Sequence, residues 1–157
     1  MKLRTDTYMD LEDITTKLSA NVLFSKPSEL EFEKVKAGIL ILQLDGRILN
    51  PDNFIVAKVD NKVVGFGQLK TFSHYQEIST VGILPPYDQQ GIGSRLIKLL
   101  LEKSNKPVFV VTVIPAFFKR IGFTAASSYP ESINEKLTYC STQLPVAEEY
   151  VVMEYNR

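Results

Sequence analysis

The stretch from Gln76 to Val113, QEISTVGILPPYDQQGIGSRLIKLLLEKSNKPVFVVTV, constrains the fold of this chain more than any other. An apolar strand runs into Pro85-Pro86, where the missing amide hydrogens end a ladder. Two glycines follow, Gly91 and Gly93. Then Ile92, Leu96, Leu99 and Leu100 recur at helical spacing, with Lys98, Glu102 and Lys103 on the outer side. PVFVVTV is a continuous apolar run, as expected for a strand covered on both faces. Strand, helix and strand form one crossover unit, and such units join parallel strands.

Elsewhere the pattern alternates between the two periods. A short strand is expected over residues 2 to 6, and a helix starting near Asp10 with Leu11, Ile14 and Leu18 on one face. Ser28 and Glu31 make a capping box for a second helix, with Phe32, Val35, Ile39 and Leu42 as its buried stripe and Gly46-Arg47 as its end. FIVAKV and VVGFGQLK flank Asp60-Asn61, a hairpin signal. Gly65 and Gly67 in the second of these strands predict a bulge or a close backbone approach. In QEISTVGIL, strict alternation puts Glu77, Ser79, Val81 and Ile83 on one face, and Ile78, Thr80, Gly82 and Leu84 on the other. AFFKRIGF reads as a short helix stopped by Gly122, and EYVVMEY as a last strand. With 157 residues, 45% of them apolar, and no repeat, the chain is expected to form a single mixed α/β domain over residues 1–157.

Charge narrows the function. Lysine plus arginine and aspartate plus glutamate both number 18, so no broad basic field exists to capture nucleic acid or an anionic membrane. No apolar run approaches the roughly 20 residues that cross a bilayer, and the opening residues do not resemble a leader, so a cytoplasmic location is expected. One cysteine, Cys140, and one histidine, His74, argue against an internal disulfide or a thiolate-rich metal site, and no metal is expected.

Gly91 and Gly93 bare the backbone where a helix presents unpaired N–H groups and the positive end of its dipole. Either an anion, such as a diphosphate, or close packing against the sheet accounts for them. A dinucleotide fingerprint would need a glycine at Leu96 and an acid ending the next strand, and a Walker loop would need Gly-Lys-Ser/Thr; neither is present.

ISTVGILPPYDQQGIGSRLIKLLLE, followed one strand later by AFFKRIGF, resembles the cofactor core of the GNAT superfamily of acyl-CoA N-acyltransferases, and the element order is similar over nearly the whole chain. The resemblance implies a central mixed, mostly antiparallel sheet with one parallel crossover, flanked by helices, and acetyl-CoA as co-substrate with an amine as acceptor. It implies that Ile83 and Leu84 offer main-chain bonds to pantetheine and that Gln89, Gln90, Gly91, Ile92, Gly93 and Ser94 cradle the diphosphate. A homodimer is among the assemblies open to such a chain. Two departures stand out. Asp88 occupies the place of a diphosphate-binding Gln or Arg, so it is expected to turn away and leave Gln89, Gln90 and Arg95 to assist. Phe117-Phe118 replaces the family's Phe-Tyr, so the usual general acid is missing.

Transfer of an acyl group to an amine requires the amine to lose a proton, because an amine with a pKa near 10 is mostly charged at neutral pH. Glu77 is the first candidate base and His74 the second. Main-chain N–H groups near Val81 to Ile83 could polarise the carbonyl. Protonation of the leaving thiolate could come from solvent or from Tyr75, Tyr129 or Tyr139, while Cys140 lacks the partners of a nucleophile. TVIPAFFKRIGF with YPESINEKLTYC further resembles amino-acid N-acetyltransferases related to N-acetylglutamate synthase, which implies carboxylate-binding roles for Thr112 and Lys136. The rival reading is a coenzyme A-binding sensor or interaction module without turnover.

Overall fold

The computed structural model describes residues 21–156. The strand expected over 2 to 6 and the helix around Leu11, Ile14 and Leu18 lie outside them. Seven strands form one sheet: β1 (Val22–Ser25), β2 (Phe54–Val59), β3 (Lys62–Thr71), β4 (Gln76–Ile83), β5 (Val108–Thr112), β6 (Thr124–Ala125) and β7 (Val151–Tyr155), in the order β1-β2-β3-β4-β5-β7-β6. Among the described residues, only β4 and β5 pair in parallel. That pair is the expected crossover, made by helix α2 (Ile92–Glu102).

Two helix layers cover the sheet. On one face α2 and α3 (Pro115–Ile121) bury Leu96, Leu100 and Phe118 against Ile55, Ile78 and Val110. On the other face, α1 (Glu29–Ile41) packs Val35 and Ile39 on Phe54, Val56 and Phe66, and α4 (Glu131–Gln143) packs Ile133 and Cys140 on Phe109, Val111 and Val152. Full burial of a Leu, Ile or Phe side chain stabilises by about 1.5–3 kcal/mol, so these residues fix the layers.

The local signals behave as chemistry requires. Ser28 Oγ accepts from Glu31 N at 3.2 Å and Glu31 Oε1 from Ser28 N at 2.9 Å, closing the capping box. Asp60 and Asn61 both take positive φ (49° and 63°) in the β2–β3 turn, as a tight hairpin demands. Gly122, at φ 120°, ends α3.

Four expectations are corrected. Helix α1 stops at Ile41, before Gly46-Arg47, because Gln43 turns left-handed and Leu44 N donates back to Ile39 O. The buried side of α2 includes Ile97 and Leu101, with Leu99 only half-buried, since the face that meets the sheet is wider than the expected stripe and turned toward Ile97. Strands β1 and β6 and helix α4 were absent from the sequence reading. Finally, strict alternation in β4 fails. Phe66 pairs with Gly82 but Gln68 with Ser79, so one extra β4 residue opposes Gly67, and Thr80 there has φ 54°. This bulge puts Val81 and Ile83 with Ile78 in the α2 core. A second irregularity falls beside Gly65, where Ala57 pairs with Gly65 and Lys58 with Val63.

Candidate acyl-transfer site

The site begins where two parallel strands part. Gln76 locks them at one end: its Oε1 accepts from Asn105 N (2.9 Å) and Lys106 N (3.1 Å), and its Nε2 donates to Thr71 Oγ1 (3.0 Å). The ladder then holds for three pairs, Gln76 with Val108, Glu77 with Phe109 and Ile78 with Val110. From Ser79 onward β4 pairs with no strand on that side among the described residues. The bulge re-aims it, and Thr80 is held in its uncommon conformation by bonds from Gln68 Nε2 (3.1 Å) and to the Asp45 carbonyl (3.1 Å).

On one side of the opening lies a groove of ≈ 530 Å³ lined by Ile83, Gln89, Gly91, Gly93 and Ser94, with Phe117 opposite. Gly91 caps α2 in the left-handed region (φ 83°), and an added Cβ would meet nothing within 4 Å, so the helix start faces open space. Lys98 and Arg120 also line this groove. A positive helix end and two cations suit a diphosphate.

On the other side is a small pocket of ≈ 50 Å³ whose walls include Asp45, Ser79, Val111, Lys136, Cys140 and Tyr150. Lys136 Nζ lies 2.8 Å from Asp45 Oδ2 and 3.6 Å from Glu77 Oε2, and all three side chains are at most 10% exposed. Arg47 holds Asp45 with two side-chain bonds (2.9 and 3.0 Å) and one from its backbone (3.0 Å), and its guanidinium sits over the Tyr139 ring. Burial works against the charge on Asp45, yet the Arg47 bonds and the Lys136 charge outweigh it and hold the carboxyl well below the usual carboxylate range. Burial also works against Lys136, but Glu77 and Asp45 raise it above an ordinary lysine. Lys70, across the strand from Glu77, is lowered by burial. Burial pushes up both the Cys140 thiol and the Tyr150 phenol.

The expected residues are distributed unevenly over this geometry. Glu77 is buried behind the pocket wall, touching it through Lys136. His74 is exposed in the β3–β4 turn and does not line the pocket. Leu84 is committed within the fold, its N–H to Val64 O (2.8 Å) and its carbonyl to Tyr87 N (2.9 Å). Asp88 is buried and does not line the groove. Gln90 braces the loop by donating to Pro86 O (2.9 Å), and Arg95 stacks on Phe24, 4.6 Å from its centroid, so neither side chain faces the groove. Thr112 accepts from Ile114 N (3.0 Å) and stands apart from the Lys136 pocket. Of the tyrosines, Tyr75 bonds Ser132, and Tyr150, which the sequence reading passed over, is the one on the pocket wall, donating to Leu144 O (2.7 Å).

Sequence reasoning also missed Lys98 and Arg120. Gly91, Ser94 and Lys98 fall at i, i+3 and i+7, a single helix face, and Arg120 follows Phe117 by three. That spacing was the available signal.

Known proteins share this architecture. Residues 50–125 match the family model described as an acetyltransferase (GNAT) domain. An uncharacterized N-acetyltransferase of Chlorobaculum tepidum is 27% identical over 103 residues, 61% of this chain and 66% of that protein. The Rv2747 protein of Mycobacterium tuberculosis, solved with CoA, superposes with a TM-score of 0.66 at 24% identity, covering 86% of this chain and 99% of that one. N-acetylglutamate synthase of Neisseria gonorrhoeae, solved with coenzyme A and N-acetyl-glutamate, gives 0.70 at 19% identity over 87% of this chain. The match spans about a third (35%) of that synthase, and just under two thirds of the Chlorobaculum protein. The parted parallel strands and the glycine-started helix fall within residues 50–125, the segment that matches the acetyltransferase (GNAT) domain model, and the chain as a whole is similar in fold to GNAT acyl-CoA N-acyltransferases.

Proposed function

We propose that the protein transfers the acetyl group of acetyl-CoA to a primary amine by direct attack in a ternary complex. The observation that carries this reading is the parting of β4 from β5 after Ile78, with Ile83 further along β4 lining the cationic groove at Gly91 and Ser79 lining the pocket at Asp45 and Lys136. The diphosphate lies against Gly91, Gly93 and Ser94, with Lys98 and Arg120 as countercharges. The pantetheine arm follows the unpaired side of β4 past Ile83, and the thioester arrives near Val81. The pocket volume admits an acetyl group and little more.

The amine nitrogen bonds to the thioester carbonyl carbon and the carbon–sulfur bond breaks. Main-chain N–H groups turned by the bulge polarise the carbonyl oxygen. The proton that leaves nitrogen passes through an intervening water to Glu77, whose Oε2 has Lys136 at 3.6 Å and no hydrogen bond. The departing thiolate takes a proton from solvent or from Tyr150, which burial keeps protonated. Protonated Lys136 is no rival base and no competing nucleophile.

Thiol release from acetyl-CoA with a panel of amines tests the reaction. In Glu77→Gln, turnover should fall about 10²-fold or more below the acceptor's pKa and recover above it, with coenzyme A affinity unchanged. A pH–rate profile that superimposes on the wild type would remove Glu77 from the role.

A further inference from the structure

Beside the pocket, a second groove runs between the C-terminal ends of α1 and α4. Its ≈ 420 Å³ is lined by Ile39, Leu40, Leu44, Leu144 and Pro145. Among the described residues, the polar side chains on it are the uncharged Gln43 and Gln143. Gln43, Leu44 and Leu144 line this groove and the Lys136 pocket alike, so the two adjoin. Leu40 is 80% exposed at its mouth, with Ile41 beside it at 69%. Within the pocket, Ser79 Oγ is buried, only 5% of the residue being exposed, and has no hydrogen-bond partner. A buried hydroxyl left unmated is rare in a folded protein, and this one lies on the wall where an acceptor would arrive.

We infer that this groove is the acceptor's side-chain subsite and that it selects amines carrying an uncharged, aliphatic body, with Ser79 Oγ orienting the amine end. The inference rests on the transferase reading above. A charged side chain entering the groove would lose hydration and meet no countercharge on its walls, whereas an aliphatic one would cover Leu40 and Leu144. The chemistry is shared by a free aliphatic amino acid and by a peptide that begins with one.

Acetylation rates with leucine, leucinamide and a leucine-initiated peptide, set against glutamate, lysine and spermidine, test the inference. The aliphatic acceptors should exceed the charged ones at least tenfold in kcat/KM. The free acid compared with the amide and peptide tells which source is used. Leu40→Glu, at an exposed position that leaves folding intact, should raise KM for the aliphatic acceptors about tenfold and leave KM for acetyl-CoA unchanged. Preference for a charged acceptor, or an unaltered acceptor profile in Leu40→Glu, overturns the inference while the transferase reading stands. Thiol release that no amine of the panel raises above the amine-free rate overturns both.

Discussion

Asp45 does two jobs at once: its carboxylate neutralises Lys136 and Arg47, and its carbonyl receives the hydroxyl of Thr80 at the bulge. A countercharge for a buried lysine is hard to remove, because the cation stays behind in a poor solvent. Asp45→Asn should therefore destabilise the protein by about 3 kcal/mol, read by urea unfolding. The dependence on pH follows from the directions of the shifts. The Asp45 carboxyl is depressed on folding, so its contribution is full above the ordinary carboxylate pKa and declines as pH falls below about 4. Lys136 is raised, so its contribution is whole below about pH 10.4 and is lost only above that. The gap between wild type and variant should stay level through neutrality and narrow in acid; a gap that is constant down to pH 2 contradicts the assignment.

At the scale of elements, α1 sits on β3 through Gly38. A Cβ there would lie 2.7 Å and 3.2 Å from two carbons of the Phe66 ring, which is fully buried. Two effects compete in Gly38→Ala. Helix propensity favours alanine by about 1 kcal/mol, but forcing α1 away from a packed ring costs about 1–3 kcal/mol. The net expectation is a loss of stability, and a more stable variant would mean that the ring can move aside. Elements with strong local chemistry were readable in advance: the Ser28 box, the Asp60-Asn61 turn, the Gly122 stop and the apolar β5. Helix α4 was missed although Ile133, Leu137 and Cys140 fall at i, i+4 and i+7, the spacing of one helix face, because its start after Pro130 carries no side-chain cap to mark it. The β4 bulge was hidden for another reason. Its cause is tertiary, a hydroxyl tied to Asp45 and Gln68, and nothing in the local order of residues announces it.

The molecule as a whole carries no net charge, so cofactor capture depends on where its few facing cations stand. The motif around Gly91 was legible in the sequence, but Lys98 and Arg120, which face the groove, come from two separate helices, and only folding brings them together. Coenzyme A at 100 times its Kd should stabilise the folded state by about 2.7 kcal/mol, or about 5–10 °C in Tm for a domain of this size. Gly91→Glu should lose that increment. Its own melting point should fall only slightly, since the left-handed position costs about 1–2 kcal/mol for a side chain and the space around it is open. A variant that retains the full ligand-induced rise would place the diphosphate elsewhere.

Because β4 is fastened to β5 at Gln76 and released from it three residues later, the protein hides an unsealed seam in the middle of its sheet instead of on a rim. Bare rims invite other polypeptides to add themselves, the first step of aggregation. Here the bare edge faces β5 within the sheet and not the outside, and in the proposed reaction a slender linear molecule fills it, pairing as a strand would.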